Sequence, residues 1–160
     1  MSFRERLQRA AERGMRARDA ELSEAAAKAL SEAECRRLHS SYRLTLCDHI
    51  EKCLHDLADN FPGFRVETVV DSVGWGSVAN RDDVGLDGRR ANNFFSRLQL
   101  IVSPHNQFHV LDVTAKGTIR NKEVFSRNHY QRLDDVDVEQ FQQLIEGWVV
   151  DYAELFAASN

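Results

Sequence analysis

Proline is almost missing from this chain, with two in 160 residues, and the first of them is Pro62. Gly14 is the only glycine before Gly63. Nothing in residues 2 to about 60 therefore forces the backbone out of a helix. No run of about 18 apolar residues exists, so a membrane-spanning helix is not expected. Cysteine is scarce and odd in number, Cys35, Cys47 and Cys53, all in one helical region. That excludes an intrachain disulfide framework and points to a reducing cytoplasm. The start of the chain has no secretory apolar core. Its Arg-rich opening, MSFRERLQRAAERGMRAR, contains Glu5 and Glu12 and is not serine-rich, which sets it apart from organelle transit peptides.

A length of 160 residues suits a single domain, large enough to bury a core without disulfides. The formal net charge is −4, but it is spread unevenly. Residues 88–133 hold eight basic and two acidic side chains, whereas residues 134–160 hold seven acidic and no Lys or Arg. A basic middle and an acidic end can be complementary surfaces for a partner or a second copy. The plainer reading is a final helix with an acidic solvated face.

The helical part reads as two helices. Tyr42, Leu46, Ile50, Cys53 and Leu57 share one stripe at about 100° per residue. Leu22, Ala26, Ala29 and Ala33 fall on the other side of a continued helix, and Ser31-Glu32-Ala33-Glu34 has the S-x-x-E form of a capping box. A second helix is therefore expected to begin near Ser31, the alternative being one long helix with changing neighbours. The first helix has a thin, alanine-rich apolar face (Phe3, Leu7, Ala11, Leu22, Ala25), so residues 1–30 can protrude or meet a partner. Phe61-Pro62-Gly63 ends the helical part. Strands follow over residues 64–73, 94–103 and 108–115, and a fourth passes Val124 and Phe125 toward Tyr130. Short links between the last three predict an antiparallel meander. Asp134, Asp135 and Asp137 prepare a helix start, and Phe141, Ile145, Trp148, Tyr152 and Phe156 recur at helical spacing. The expected fold is α+β: N-terminal helices, a four-stranded antiparallel sheet and a C-terminal amphipathic helix packed on one sheet face.

Residues 74–93 read as a long mobile loop between strands. Gly74-Trp75-Gly76-Ser77-Val78-Ala79 matches the dinucleotide pattern G-x-G-x-x-G/A. That motif needs a helix to present its N-terminus to the pyrophosphate. The following NRDDVGLDGRR has two more glycines and no apolar repeat, so the requirement fails. A calcium loop counted from Asp83 puts Phe94 where a bidentate Glu is needed.

Cys35 with His39, and His49 with Cys53, are pairs spaced four apart on a helix face. Converging, they would make a two-Cys, two-His zinc site. A straight helix separates residues 35 and 53 by about 27 Å, so buried small cysteines and core-edge histidines are expected instead. For acid–base chemistry the best pair is Asp112 with His129. They oppose each other if the last hairpin turns at Arg120-Asn121, and not if it turns at Lys116-Gly117. No nucleophile stands near them, and an ordinary cross-strand pair explains both residues. The basic stretch with Phe125, His129 and Tyr130 could track a nucleic acid. The chain is net acidic, however, and lacks an RNA-recognition strand motif.

The expectation is a non-enzymatic cytoplasmic protein-interaction module that pairs with itself or another protein. No catalytic residue, metal or cofactor is assigned. The alternatives are a small-ligand domain or enzyme with a pocket between sheet and helices, and nucleic-acid binding through the basic middle. The residues expected to grip an anion or partner are Arg81, Arg89, Arg90, Arg120, Lys122 and Arg127.

Overall fold

A computed structural model describes residues 2–159 except 88 and 89, with backbone alone for 26–30, 84–87 and 90–92. It is α+β. A helix α1 (Phe3–Asn60) precedes β1 (Arg65–Asp71), β2 (Gly74–Asp87), β3 (Arg90–Val102), β4 (Val110–Ile119) and β5 (Lys122–Arg132). A 3₁₀ turn (Leu133–Asp135) then leads to α2 (Val138–Ala158). The chain divides into two units, Met1–Arg37 and Leu38–Asn160.

In the first unit, every described side chain from Ser2 to Ala25 is exposed. No second helix begins at Ser31, which lies inside α1. The cap signature is overridden by an alanine-rich run without Gly or Pro. Glu34 pairs forward with Arg37 rather than back toward Ser31. The shift in apolar phase marks a change from exposed to buried surroundings, not a break.

In the second unit, Leu46, Ile50, Cys53 and Leu57 of α1 are buried, as their stripe predicts, while Tyr42 of that stripe is half-buried and Leu54, outside it, is also buried. The sheet has five strands, not four, in the order β1-β2-β3-β4-β5, each antiparallel to the next. The additional strand is Gly74–Asp87, within the stretch read as a loop. It pairs with β3 from Trp75↔Val102 to Asp87↔Arg90. Its Asp and Gly residues have poor strand propensity, which pairing with β3, and over Gly74–Asn80 with β1 as well, overrides. Gly74 and Gly76 serve this pairing. A β-carbon on Gly76 would lie 1.9 Å from the Leu100 carbonyl oxygen, and one on Gly74 would lie 2.3 Å from that of Val102. The G-x-G pattern is therefore a device for close approach between strands.

Register decides what each sheet face carries. Trp75, Ser77, Ala79 and Arg81 of β2 align with Val102, Leu100, Leu98 and Ser96 of β3. Val102, Leu100 and Leu98 in turn align with Val113, Ala115 and Gly117 of β4. The next alignment is to His129, Arg127 and Phe125 of β5. This face meets the helices. The Arg43 guanidinium sits 4.2 Å from the Trp75 ring centre. Tyr152 contacts Phe125 at 6.0 Å between ring centres and donates its hydroxyl to the Thr118 carbonyl at 2.7 Å. Phe141 meets His129 edge to face at 5.0 Å. Gly117 leaves room for this packing, since a β-carbon there would come within 2.9 Å of Tyr152.

The last hairpin turns at Arg120-Asn121, both at positive φ, as a two-residue type I′ turn requires. Asn121 suits that conformation. Its side chain also accepts from the Phe95 amide at 2.9 Å and donates to the Asn93 carbonyl at 3.2 Å, extending the edge of β3. Below the turn, Gly117 pairs with Phe125 but Thr118 pairs with Glu123, leaving Val124 as the extra residue of a bulge. At the head of α2, Asp137 caps the Gln140 amide at 3.1 Å. Phe141, Ile145, Trp148, Val149, Tyr152 and Phe156 are buried.

Two glycine substitutions should act oppositely. Gly76→Ala should destabilise by about 1–3 kcal/mol, because the new methyl meets backbone. Gly147→Ala, in α2 with nothing within 4 Å of the added carbon, should stabilise by about 0.5–1 kcal/mol. Urea unfolding midpoints of the two variants check both signs.

Candidate functional site

The acid–base pair offered by the sequence does not form. The turn is at Arg120-Asn121, yet Asp112 stands opposite Tyr130 and Val113 opposite His129. The bulge at Val124 adds one residue to β5, and a one-residue shift moves a side chain to the other face. His129 lies against Phe141 and receives a contact from Gln131 Nε2 at 3.1 Å. On the opposite face, Asp112 accepts from Ser103 Oγ at 3.1 Å and from Asn128 Nδ2. Asn128 Nδ2 is also 3.2 Å from Thr114 Oγ1. Asp112 thus tethers Ser103 and Asn128, and Asn128 reaches on to Thr114.

The basic residues singled out from sequence lie on different parts of the sheet. Arg81, on β2, is half-buried; its Nε is 3.0 Å from Asp83 Oδ1 and its guanidinium 5.3 Å from the Phe156 ring centre. Arg120, in the last turn, lies 4.9 Å from the Phe94 ring centre. Arg127, on β5, lies 5.2 Å from that of Phe125. These stacks are intramolecular cation–π contacts. Lys122 is exposed at the start of β5. Arg89 lies outside the described residues, and Arg90 is described by backbone only.

The first unit offers a different surface. Phe3, Leu7, Met15 and Leu22 are between 53% and 68% exposed, and helical phase puts them on one stripe with Ala11 and Ala25. The formal charge reverses along the same segment. Residues 3–18 carry six Arg and two Glu, and residues 19–34 carry five acidic side chains and one Lys. The halves are therefore +4 and −4.

Two histidine-centred groups occur in the second unit. His49 Nε2 on α1 is 3.4 Å from Glu146 Oε1 on α2 and 3.5 Å from Cys53 Sγ. All three donor atoms lie within 4.8 Å of one another. The His49/Cys53 spacing was legible in sequence. Glu146 was not, because its place is fixed by a contact across nearly 100 positions. The second group joins His39, His105 and His109. His39 Nε2 is 3.0 Å from the Ser103 carbonyl oxygen, so that nitrogen carries the proton and donates. The His39 and His105 rings meet edge to face at 5.7 Å, and His105 Nε2 is 3.3 Å from His109 Nδ1.

The chain matches no protein-family model, no curated protein and no solved structure. Among the described residues, no helix is long and apolar enough to cross a membrane.

Burial holds the His39 imidazole below its ordinary pKa, opposed by its bond to the Ser103 carbonyl and reinforced by His105 and Arg43. The unfolded chain then binds the proton more readily. Stability on this account is fully present above the unfolded value of about 6.5 and is lost as pH falls through the lower folded value. Urea midpoints measured between about pH 7.5 and 5 should fall less steeply for His39→Gln than for the natural chain. Equal slopes would remove His39 from the acid response.

Proposed function

We propose that this chain is a non-enzymatic interaction module that pairs with a second copy of itself through the N-terminal half of α1. The observation that carries this reading is the exposed apolar stripe Phe3, Leu7, Met15 and Leu22 on a segment whose charge reverses at its middle. An antiparallel partner sets each positive half against a negative one. Centred between Arg18 and Asp19, that arrangement places Met15 opposite the partner's Leu22. Alanines along the stripe permit close approach, and apolar burial supplies about 25 cal/mol per Å². Charge pairing fixes orientation more than affinity.

In the same reading, α2 and residues 38–60 of α1 cover the sheet face that carries Leu98, Leu100, Val113 and Ala115. The sheet then serves as a scaffold for the helical segment. The separation of Asp112 from His129 supports a binding role over catalysis. Free thiols at Cys35, Cys47 and Cys53 suit a reducing, cytoplasmic setting.

Light scattering on the full chain at high micromolar concentration should give twice the 18.3 kDa chain mass. Leu22→Asp should weaken association at least about tenfold, since it replaces apolar burial with a charge in both copies. A strict monomer at that concentration, or association left unchanged by Leu22→Asp, would overturn this reading.

A further inference from the structure

We propose that His49, Cys53 and Glu146 hold a divalent transition-metal ion, zinc by preference, at a site with three protein ligands and one open position. The three supply an imidazole nitrogen, a sulfur and a carboxylate oxygen, a donor set suited to zinc. His49 and Cys53 are one helical turn apart on α1, and Glu146 comes from α2, so the site joins two elements of the same unit. Two of the three separations match tetrahedral edges, and the third pair, Cys53 Sγ and the Glu146 carboxylate, lies within 4.8 Å. Bond lengths of about 2.0–2.3 Å give tetrahedral edges of about 3.3–3.7 Å. His49 Nε2 lies 3.5 Å from Cys53 Sγ and 3.4 Å from Glu146 Oε1.

Hydrogen bonding alone serves this cluster poorly. As acceptor, His49 Nε2 can take the Cys53 thiol proton but then offers nothing to Glu146. As donor, it can serve Glu146 but leaves the thiol without that acceptor. A 3.4 Å gap is also long for a charge-assisted bond, which favours about 2.7–2.9 Å. A dication satisfies all three atoms together, and with a thiolate, a carboxylate and a neutral imidazole the group sums to zero charge. An open groove of about 410 Å³ runs beside Cys53, lined also by Asp56, Asn60 and Val149.

Binding is linked to protons. Burial, then the Glu146 and Asp56 carboxylates, push the Cys53 thiol up to about 11. At neutral pH the metal-free thiol is protonated, and coordination expels one proton.

The test is cobalt(II) titration of the full chain carrying Cys35→Ser and Cys47→Ser, followed by absorbance. One equivalent should produce a thiolate-to-cobalt charge-transfer band, reversed by zinc, and adding Cys53→Ser should abolish it. Glu146→Gln in the natural chain changes an exposed side chain and should spare the fold, checked by circular dichroism. It should weaken zinc binding at least about tenfold, a loss already typical of groups one shell further out. No band in the Cys35→Ser/Cys47→Ser chain overturns the site. So does a band that survives Cys53→Ser, or unchanged zinc affinity in Glu146→Gln. The outcome is independent of whether the chain dimerises.

Discussion

Which face of the sheet His129 occupies, and so whether it stands opposite Asp112, is decided at one residue, Val124. The extra residue in β5 lets Gly117 pair with Phe125 and carries every later position of β5 across by one. With it, Phe125 and His129 join the face that meets Tyr152 and Phe141, and Asp112 gathers Ser103 and Asn128 on the other. Without it, Val124, Asn128 and Tyr130 would face the helices, and Phe125 would leave the core. Because one face is buried, the apolar pattern and the bulge hold the register together. The bulge also explains why no acid–base pair forms in a hairpin whose turn sits where such a pair would need it.

Periodic signals were the legible part of the sequence. The stripe from Leu46 to Leu57 and the spacing from Phe141 to Phe156 name buried residues correctly, because each is a local repeat imposed by burial on one side. The Asp137 cap was legible for the same reason. Strand β2 was not. Residues 82–87 look like a turn on propensity alone, and their strand character comes from partners on β3. The bulge was hidden as well, since Glu123-Val124-Phe125 differs in no obvious way from a regular strand. The continuity of α1 through Ser31 shows a cap signature losing to an uninterrupted run of helix formers.

The candidate sites divide in the same way. Arg81, Arg120 and Arg127 stood out as free cations in sequence, yet each lies over an aromatic ring of the same chain. The His49/Cys53 pair was visible, but its meaning depends on Glu146, which only tertiary structure supplies. By contrast, the charge reversal within residues 3–34 is entirely a property of sequence. It gained its significance once the side chains of Ser2–Ala25 were seen to be exposed.

The register of β4 against β5 underlies the separation of the two faces and the loss of the acid–base pair. Nuclear Overhauser contacts between backbone protons across these strands test it most directly. The account predicts cross-strand contacts pairing Asp112 with Tyr130 and Val113 with His129. Contacts that pair Asp112 with His129 instead would mean a regular hairpin without the bulge, and would contradict it.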